Sequence, residues 1–329
     1  MGYRGGALKA FTTAIHSMGN TGVDLFFVLS GYLIYASLIG REQGYSAFLW
    51  RRVRRIYPAF IVVFVLYIGL SVAMPSSSKI PTDASGATAY LLQNFLLLPG
   101  IFDIEPMISV AWSLSYEMLY YALLPVIIVA FALRQRSALW RVAFFAGIAI
   151  AGLVYCAFAG GPVRLVMFIS GILLYEAIKS NIAPPSSLMA VGILIGGVGF
   201  VGLTSVGTSV EASVLFVAFF MLCYRCFRGE SGVARAFSWA PLRWLGNMSF
   251  SYYLLHGLAI QCAFIVAAKV MPTVEYQAIF YFGMMPFVFA ATLIPTAGLY
   301  LLVERPMSLV PAPVIPTVLM TAPRELVKG

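Results

Sequence analysis

The sequence predicts an all-α protein, a polytopic bundle that crosses a membrane about ten times, and three observations predict it. Hydrophobic residues make up 61% of the 329 and charged residues 10%, with a mean hydropathy of +0.92. A soluble domain carries about a quarter charged residues and has polar surface to match. Apolar runs near the ~20 residues that a helix needs to cross hydrocarbon recur along the whole chain. Finally, the basic residues gather on alternate connections.

Runs between charged or Pro/Gly-rich breaks place helices at 6–18, 22–40, 56–74, 108–133, 141–159, 163–179, 188–206, 210–226, 249–270 and 277–303. The first is short and carries Lys9, Thr12, Thr13 and His16, and its opening MGYRGGALKA lacks the apolar stretch of a cleavable signal. Ser17 to Gly22 reads as a turn into the second helix, which ends at Gly40 and Arg41. The third follows an arginine cluster. From Pro75 to Pro106 runs a long connection whose centre, Leu91 to Leu98, is apolar enough to dip back into the membrane. The remaining helices are separated by short basic or Gly/Pro breaks. Residues 1–310 thus form one transmembrane domain, and 311–329 are expected to be a poorly ordered tail on the cytoplasmic side.

Orientation follows from counting. With the N-terminus inside and sides alternating, 18 of the 21 basic residues fall on inner segments, and Lys79, Arg164 and Lys269 remain outside. That asymmetry predicts a multi-pass protein with both termini cytoplasmic. A net charge of +9 is then a property of inner loops in contact with lipid, and nucleic acid is not an expected partner. Cys223 and Cys226 form a C-x-x-C with no second pair and no histidine beside it, so no metal is expected.

Ionisable groups inside spans are costly and mark function by default. His16, Asp24, Glu117, Glu176 and His256 are the main ones. On the assigned topology His16, Asp24 and Glu117 lie in the outer half and could share one cavity, as a general base with carboxylates that fix its tautomer. The bland reading is a buried polar set that locks helices together. Arg51, Arg52, Arg54 and Arg55 enter the third helix from the inner side. Arginine forks suit phosphates, although composition alone favours an anchor for anionic headgroups. A carrier or flippase for a glycan or lipid intermediate also fits ten spans, but neither an inverted repeat nor paired broken helices are visible.

Five stretches resemble the motifs of the acyltransferase 3 family, in the family's order. GVDLFFVLSGYLI at 22–34 is similar to its signature, and RRVRRIYP at 51–58 resembles its arginine motif. AWSLSYEMLYYALLP at 111–125 supplies Trp112, Ser113, Leu114, Glu117 and Tyr121; LGNMSFSYYLLH at 245–256 supplies His256; VERP at 303–306 supplies Arg305. Arg4 and His16 stand for the family's early arginine and histidine, with eleven intervening residues in place of ten.

The resemblance implies ten helices and transfer of an acetyl or other short acyl group from acetyl-CoA on the cytoplasmic side. The acceptor it implies is a hydroxyl of an envelope or exported glycan, such as an exopolysaccharide or lipopolysaccharide. In this reading His16, Asp24 and Glu117 are catalytic. Arg4, Arg51, Arg52, Arg54, Arg55 and Arg305 hold the cofactor, and Trp112, Ser113, Ser115, Tyr121 and His256 position substrate. Acyl-CoA, the glycan and membrane lipid are the expected partners, and a homo-oligomer is compatible with the sequence.

Overall fold

The structure, a computed structural model, describes residues 4–183, 185–203, 208–228, 232–270 and 277–308; for 4–9 and 267–282 it describes the helical path alone. Arg4, as a side chain, and the 311–329 tail therefore lie outside the described residues. In chain order the helices are α1 (Arg4–Ile39), α2 (Tyr45–Ala73), α3 (Ala84–Phe95), α4 (Trp112–Ala130), α5 (Ala138–Ala159), α6 (Val166–Lys179) and α7 (Ser187–Leu203). They continue with α8 (Thr208–Arg228), α9 (Gly232–Phe237), α10 (Ala240–Asn247), α11 (Ser249–Val270) and α12 (Gln277–Leu299). A π-helical turn, Tyr300–Glu304, and a last turn, α13 (Arg305–Ser308), close the described chain.

The protein is an all-helical, multi-pass membrane bundle. Among the described residues seven helices are long and apolar enough to cross a membrane, and α7 is a shorter apolar one. Prolines at 58, 125, 286 and 295 lie inside three of the long helices, where neighbouring helices re-satisfy the freed backbone groups.

The two helices expected at 6–18 and 22–40 are one continuous helix, and this corrects the turn read at Ser17 to Gly22. Gly19, Asn20 and Gly22 lower helix propensity by about 1 kcal/mol or less apiece, which packing overrides, and no proline interrupts the run. Thr21 bonds back to the Met18 carbonyl at 2.7 Å and stays within the helix. One helix also puts Arg4 and Arg41 at opposite ends of the bundle, so the expected arrangement with both on one side does not hold.

Backbone contact between α1 and α6 organises the core. A Cβ on Gly171 would lie 1.9 Å from the Val28 carbonyl oxygen, and one on Gly31 would lie 2.0 Å from that of Phe168. Small residues allow such approach where lipid gives no hydrophobic drive between helices. Phe27 stacks on Phe168 at 4.7 Å, and Tyr120 of α4 covers the other side of Phe168 at 4.1 Å.

At the arginine-rich end, Glu176 is fully buried. It accepts from Arg141 through both oxygens (2.7 and 2.8 Å) and from the Tyr35 hydroxyl at 2.6 Å. Near the end of α6 this ion pair, not solvent, satisfies the carboxylate. Arg134 donates to the Leu38 carbonyl nearby.

The 75–106 connection is ordered and reaches into the bundle. Asp83 caps α3 by accepting from the Gly86 N–H at 2.6 Å. The helix descends beside α2 until the Tyr57 hydroxyl donates to the Phe95 carbonyl at 3.1 Å. Leu97 beyond it is buried. Buried Asn94 ties the return path by donating to the Glu105 carbonyl and accepting from the Met107 N–H.

Candidate active site

Helix α4 carries the site. Ser113, Glu117 and Tyr121 recur every four residues, so they form one polar stripe about 12 Å long at 1.5 Å of rise per residue. Glu117 is buried; it accepts from the Tyr121 hydroxyl one turn on and from Ser30 Oγ of α1 at 3.5 Å. The Arg52 guanidinium of α2 lies 5.2 Å over the Tyr121 ring and 5.1 Å over the Phe48 ring, and donates to Ser37 Oγ at 3.2 Å. The charges of Arg55 and Arg52 both act on Glu117. The first turns of α2 thus bring cations beneath the stripe, because the helix begins at Tyr45 and includes the whole arginine motif.

Arg51 turns away to Gln43, and Arg54, Arg55 and Arg305 are exposed. The π-helical turn and α13, which follow α12, pack on α2, which keeps Arg305 at this face. Glu304 does not pair with Arg305, as an adjacent acid and base would suggest. It accepts from Ser251 N and Oγ instead, so it caps the first turn of α11 from another helix.

The upper end of the stripe meets α11. Ser113 Oγ and the Tyr253 hydroxyl are 2.8 Å apart, and that hydroxyl also donates to the Val110 carbonyl. His256, one turn further, is half-buried and stacks on Tyr252 with ring centroids 5.6 Å apart. Its Nδ1 lies 2.8 Å from the Tyr253 carbonyl oxygen and 3.1 Å from that of Tyr252. Carbonyls only accept, so Nδ1 carries the proton and Nε2 has the lone pair of the neutral ring. Ser115 faces away from the stripe and bonds back to the Ala111 carbonyl.

Above the stripe is an outer cavity of about 390 Å³ lined by Asn20, Trp112, Tyr116, Gly161, Pro162, Val163, Arg164 and Thr208. Arg164 sits 5.5 Å over the Trp112 ring, and its Nε is 3.7 Å from Asp24 Oδ1. Asp24 is buried. His16, Asn20 and Asp24 are spaced four apart along one face of α1. Ala14 and Met18, on the other face, meet Gly202 of α7.

His16 is therefore exposed, one turn beyond the cavity lining, and about 21 Å along α1 from Ser30. The common cavity expected for His16, Asp24 and Glu117 is thus two places. Asp24 lies under the outer cavity, His16 lies exposed one helical turn beyond its lining, and Glu117 lies in the stripe below. A continuous α1 causes this separation, since no turn folds His16 back toward Asp24.

Sequence reasoning missed Arg164, Tyr253, Ser30 and Asn20. Arg164 follows Gly160, Gly161 and Pro162, and both glycines have positive φ (73° and 120°), so a lone outer arginine just after a forced turn was the available signal. Among the described residues no cluster of His, Cys, Asp or Glu could hold a metal.

The fold and site define a multi-pass membrane bundle with an arginine-lined face, a buried polar stripe and a cavity at the opposite end. The chain belongs to the acyltransferase 3 family: its acyltransferase domain matches residues 2–303. It is 28% identical to the exopolysaccharide production protein ExoZ of Rhizobium meliloti, over 88% of this chain and 90% of that one. It is 27% identical to the peptidoglycan O-acetyltransferase OatA of Listeria monocytogenes, over 72% of this chain and 44% of that one. It is also 35% identical to an uncharacterized protein of Haemophilus influenzae, over 32% of this chain and 48% of that one. The chain thus spans less than half the length of the second and third relatives. No solved structure matches.

Proposed function

We propose that the protein transfers an acetyl or other short acyl group from acyl-CoA to a hydroxyl of an envelope or exported glycan. The α4 stripe carries this reading, because it joins an arginine-rich face to a cavity at the opposite face through the bundle interior. We assign the arginine-rich face to the cytoplasmic side of a bacterial inner membrane, with the end of α12 at that face and the start of α1 opposite.

Arg52 and Arg55, helped by Arg51, Arg54 and Arg305, hold the phosphates of CoA in this scheme. Guanidinium forks grip phosphate oxygens in pairs. The acyl end extends along Tyr121, Glu117 and Ser113 toward the outer cavity. There a glycan hydroxyl attacks the thioester carbonyl. The C–S bond breaks, an O-acyl ester forms, and the hydroxyl proton leaves by way of a base to the departing thiolate. His16, one turn beyond the cavity lining, is the proposed base, with Asn20 and Asp24 on the same face of α1 below it. Glu117 serves the donor end, as the counter-charge that orients Tyr121 and the arginines. His256, with Nδ1 committed to backbone, positions Tyr253 at the head of the stripe.

The test is acetyl transfer by the purified full chain. His16→Ala is expected to stay in the membrane at wild-type level and lose acetylation of the glycan, read by mass spectrometry. A variant that still modifies the glycan at the wild-type rate would remove His16 from the chemistry. If the wild-type protein neither hydrolyses nor transfers from acetyl-CoA but moves a labelled glycan across vesicles, the chain is a carrier instead.

A further inference from the structure

We infer that the outer cavity is the acceptor site and that it takes an uncharged sugar residue through a hydroxyl held between Arg164 and Asp24. This rests on the acyl-transfer reading above and adds the substrate class and the residues that choose it. Asp24 is buried, yet among the described residues neither Asp24 nor Arg164 makes a hydrogen bond; their closest approach is 3.7 Å. Buried polar groups are almost always satisfied, and an exception needs a reason. Arg164 offers five donors and no acceptor, and the Asp24 carboxylate offers acceptors only. A hydroxyl both accepts and donates, so it satisfies the two at once.

A carboxylate or phosphate would satisfy Arg164 and meet repulsion from Asp24. The pair carries no net charge, so the cavity has no excess of positive potential with which to retain an anion. Its walls agree with a sugar. Trp112 and Tyr116 give flat apolar surface, and Asn20 gives a planar amide with donors and acceptors. A volume of about 390 Å³ lies at the small end of the ~300–1,000 Å³ usual for small-molecule pockets, which suits one or two sugar rings. Position agrees as well. Trp112 and Tyr116 of the cavity wall flank Ser113 on α4, and Ser113 Oγ lies 2.8 Å from the Tyr253 hydroxyl at the head of the stripe. A hydroxyl on Arg164 is therefore held where the acyl group emerges.

The test uses oligosaccharides released from the producing cell's own envelope glycan and separated into uncharged and acid-bearing fractions. Full-length protein in detergent, supplied with acetyl-CoA, is expected to acetylate the uncharged fraction. Arg164→Gln should raise the KM for that fraction at least about tenfold, the worth of a hydrogen bond to a charged group, and Asn20→Ala about fivefold, the worth of a neutral one. Lys79→Gln, at an outer cation paired with Glu105 and remote from the cavity lining, should leave that KM unchanged. Asp24→Asn with Arg164→Gln removes both charges together and covers the case in which Arg164→Gln alone fails to fold. An unchanged glycan KM in the folded cavity variants, or preference for the acid-bearing fraction, overturns the proposal while leaving acyl transfer intact. Absence of any acetyl-CoA turnover in the wild-type protein removes the acyl-transfer reading itself.

Discussion

Gly171→Ala tests the contact that positions everything else. The added Cβ would sit 1.9 Å from the Val28 carbonyl oxygen and 2.5 Å from Tyr32 N, both backbone atoms of α1. Neither can rotate away, so the helices must part by about 1.5 Å to restore an ordinary contact near 3.4 Å. That displacement breaks the 2.6 Å bond from Tyr35 to Glu176 and carries Asp24 beyond ion-pair range of Arg164, now at 3.7 Å. Overpacking of a tight core usually costs about 1–3 kcal/mol. With backbone as the obstacle and a buried hydrogen bond lost as well, we expect about 3 kcal/mol, the top of that range. The assay is thermal unfolding of the purified protein in detergent, with glycan acetylation measured in parallel. Gly192→Ala is the control, because nothing lies within 4 Å of its added carbon. An alanine at 171 that unfolds at the wild-type midpoint would mean that α1 and α6 are not in backbone contact, and the geometry of the outer cavity would fall with it.

Arg52→Gln combined with Arg55→Gln should raise the KM for acetyl-CoA at least about tenfold, as charge-assisted contacts are worth roughly 1.5–3 kcal/mol each; its dependence on added salt should weaken too. Titration of acetyl-CoA at two ionic strengths reads both. Glu176→Ala leaves Arg141 and Tyr35 facing an empty partner and should cost about 3–5 kcal/mol of stability in detergent unfolding, whereas Arg141→Met with Glu176→Leu should recover most of it. Asp83 gives a pH signature. The Gly86 N–H, and then the Ser85 hydroxyl, hold its carboxyl below the ordinary value of 3.8, so the cap of α3 is intact above that value and is lost as pH falls through the lowered one. Amide exchange in α3 should accelerate there in the wild type and already be fast at neutral pH in Asp83→Ala.

The stripe's residues were legible only as members of a motif; that Ser113, Glu117 and Tyr121 share a face follows because four residues nearly complete a turn, and the structure keeps them in line. The arginine motif was legible for the same reason. Two other features were hidden by how weakly local sequence constrains long-range geometry. Gly19, Asn20 and Gly22 resemble a break, but the penalty of about 1 kcal/mol apiece is small beside the burial of α1 against α6 and α7, so the helix continues. The partners of Glu176 and Glu304 come from helices 35 and 53 residues away, and no local pattern distinguishes Arg141 or Ser251 from their neighbours. Arg164 looked like one of three outer bases until packing set it over Trp112.

The length of the stripe has a consequence for how two impermeant substrates can meet. Hydrocarbon is about 30 Å thick, and the stripe from Ser113 to Tyr121 accounts for about 12 Å of it. The remainder must be crossed by recesses at the two faces. On one side the outer cavity descends to Trp112 and Asp24, directly above Ser113. On the other, the arginines of α2 rise to Arg52 and Arg55 within reach of Tyr121 and Glu117. In the proposed scheme each substrate enters only part of the membrane, and the acyl-bearing arm of the donor extends along the stripe. A buried carboxylate in its middle is tolerable because Tyr121, Ser30 and the two arginine charges all address Glu117. Removing any of them burdens the helix that aligns donor with acceptor, which is why substitutions of this carboxylate should impair transfer even if the glycan and acetyl-CoA still bind.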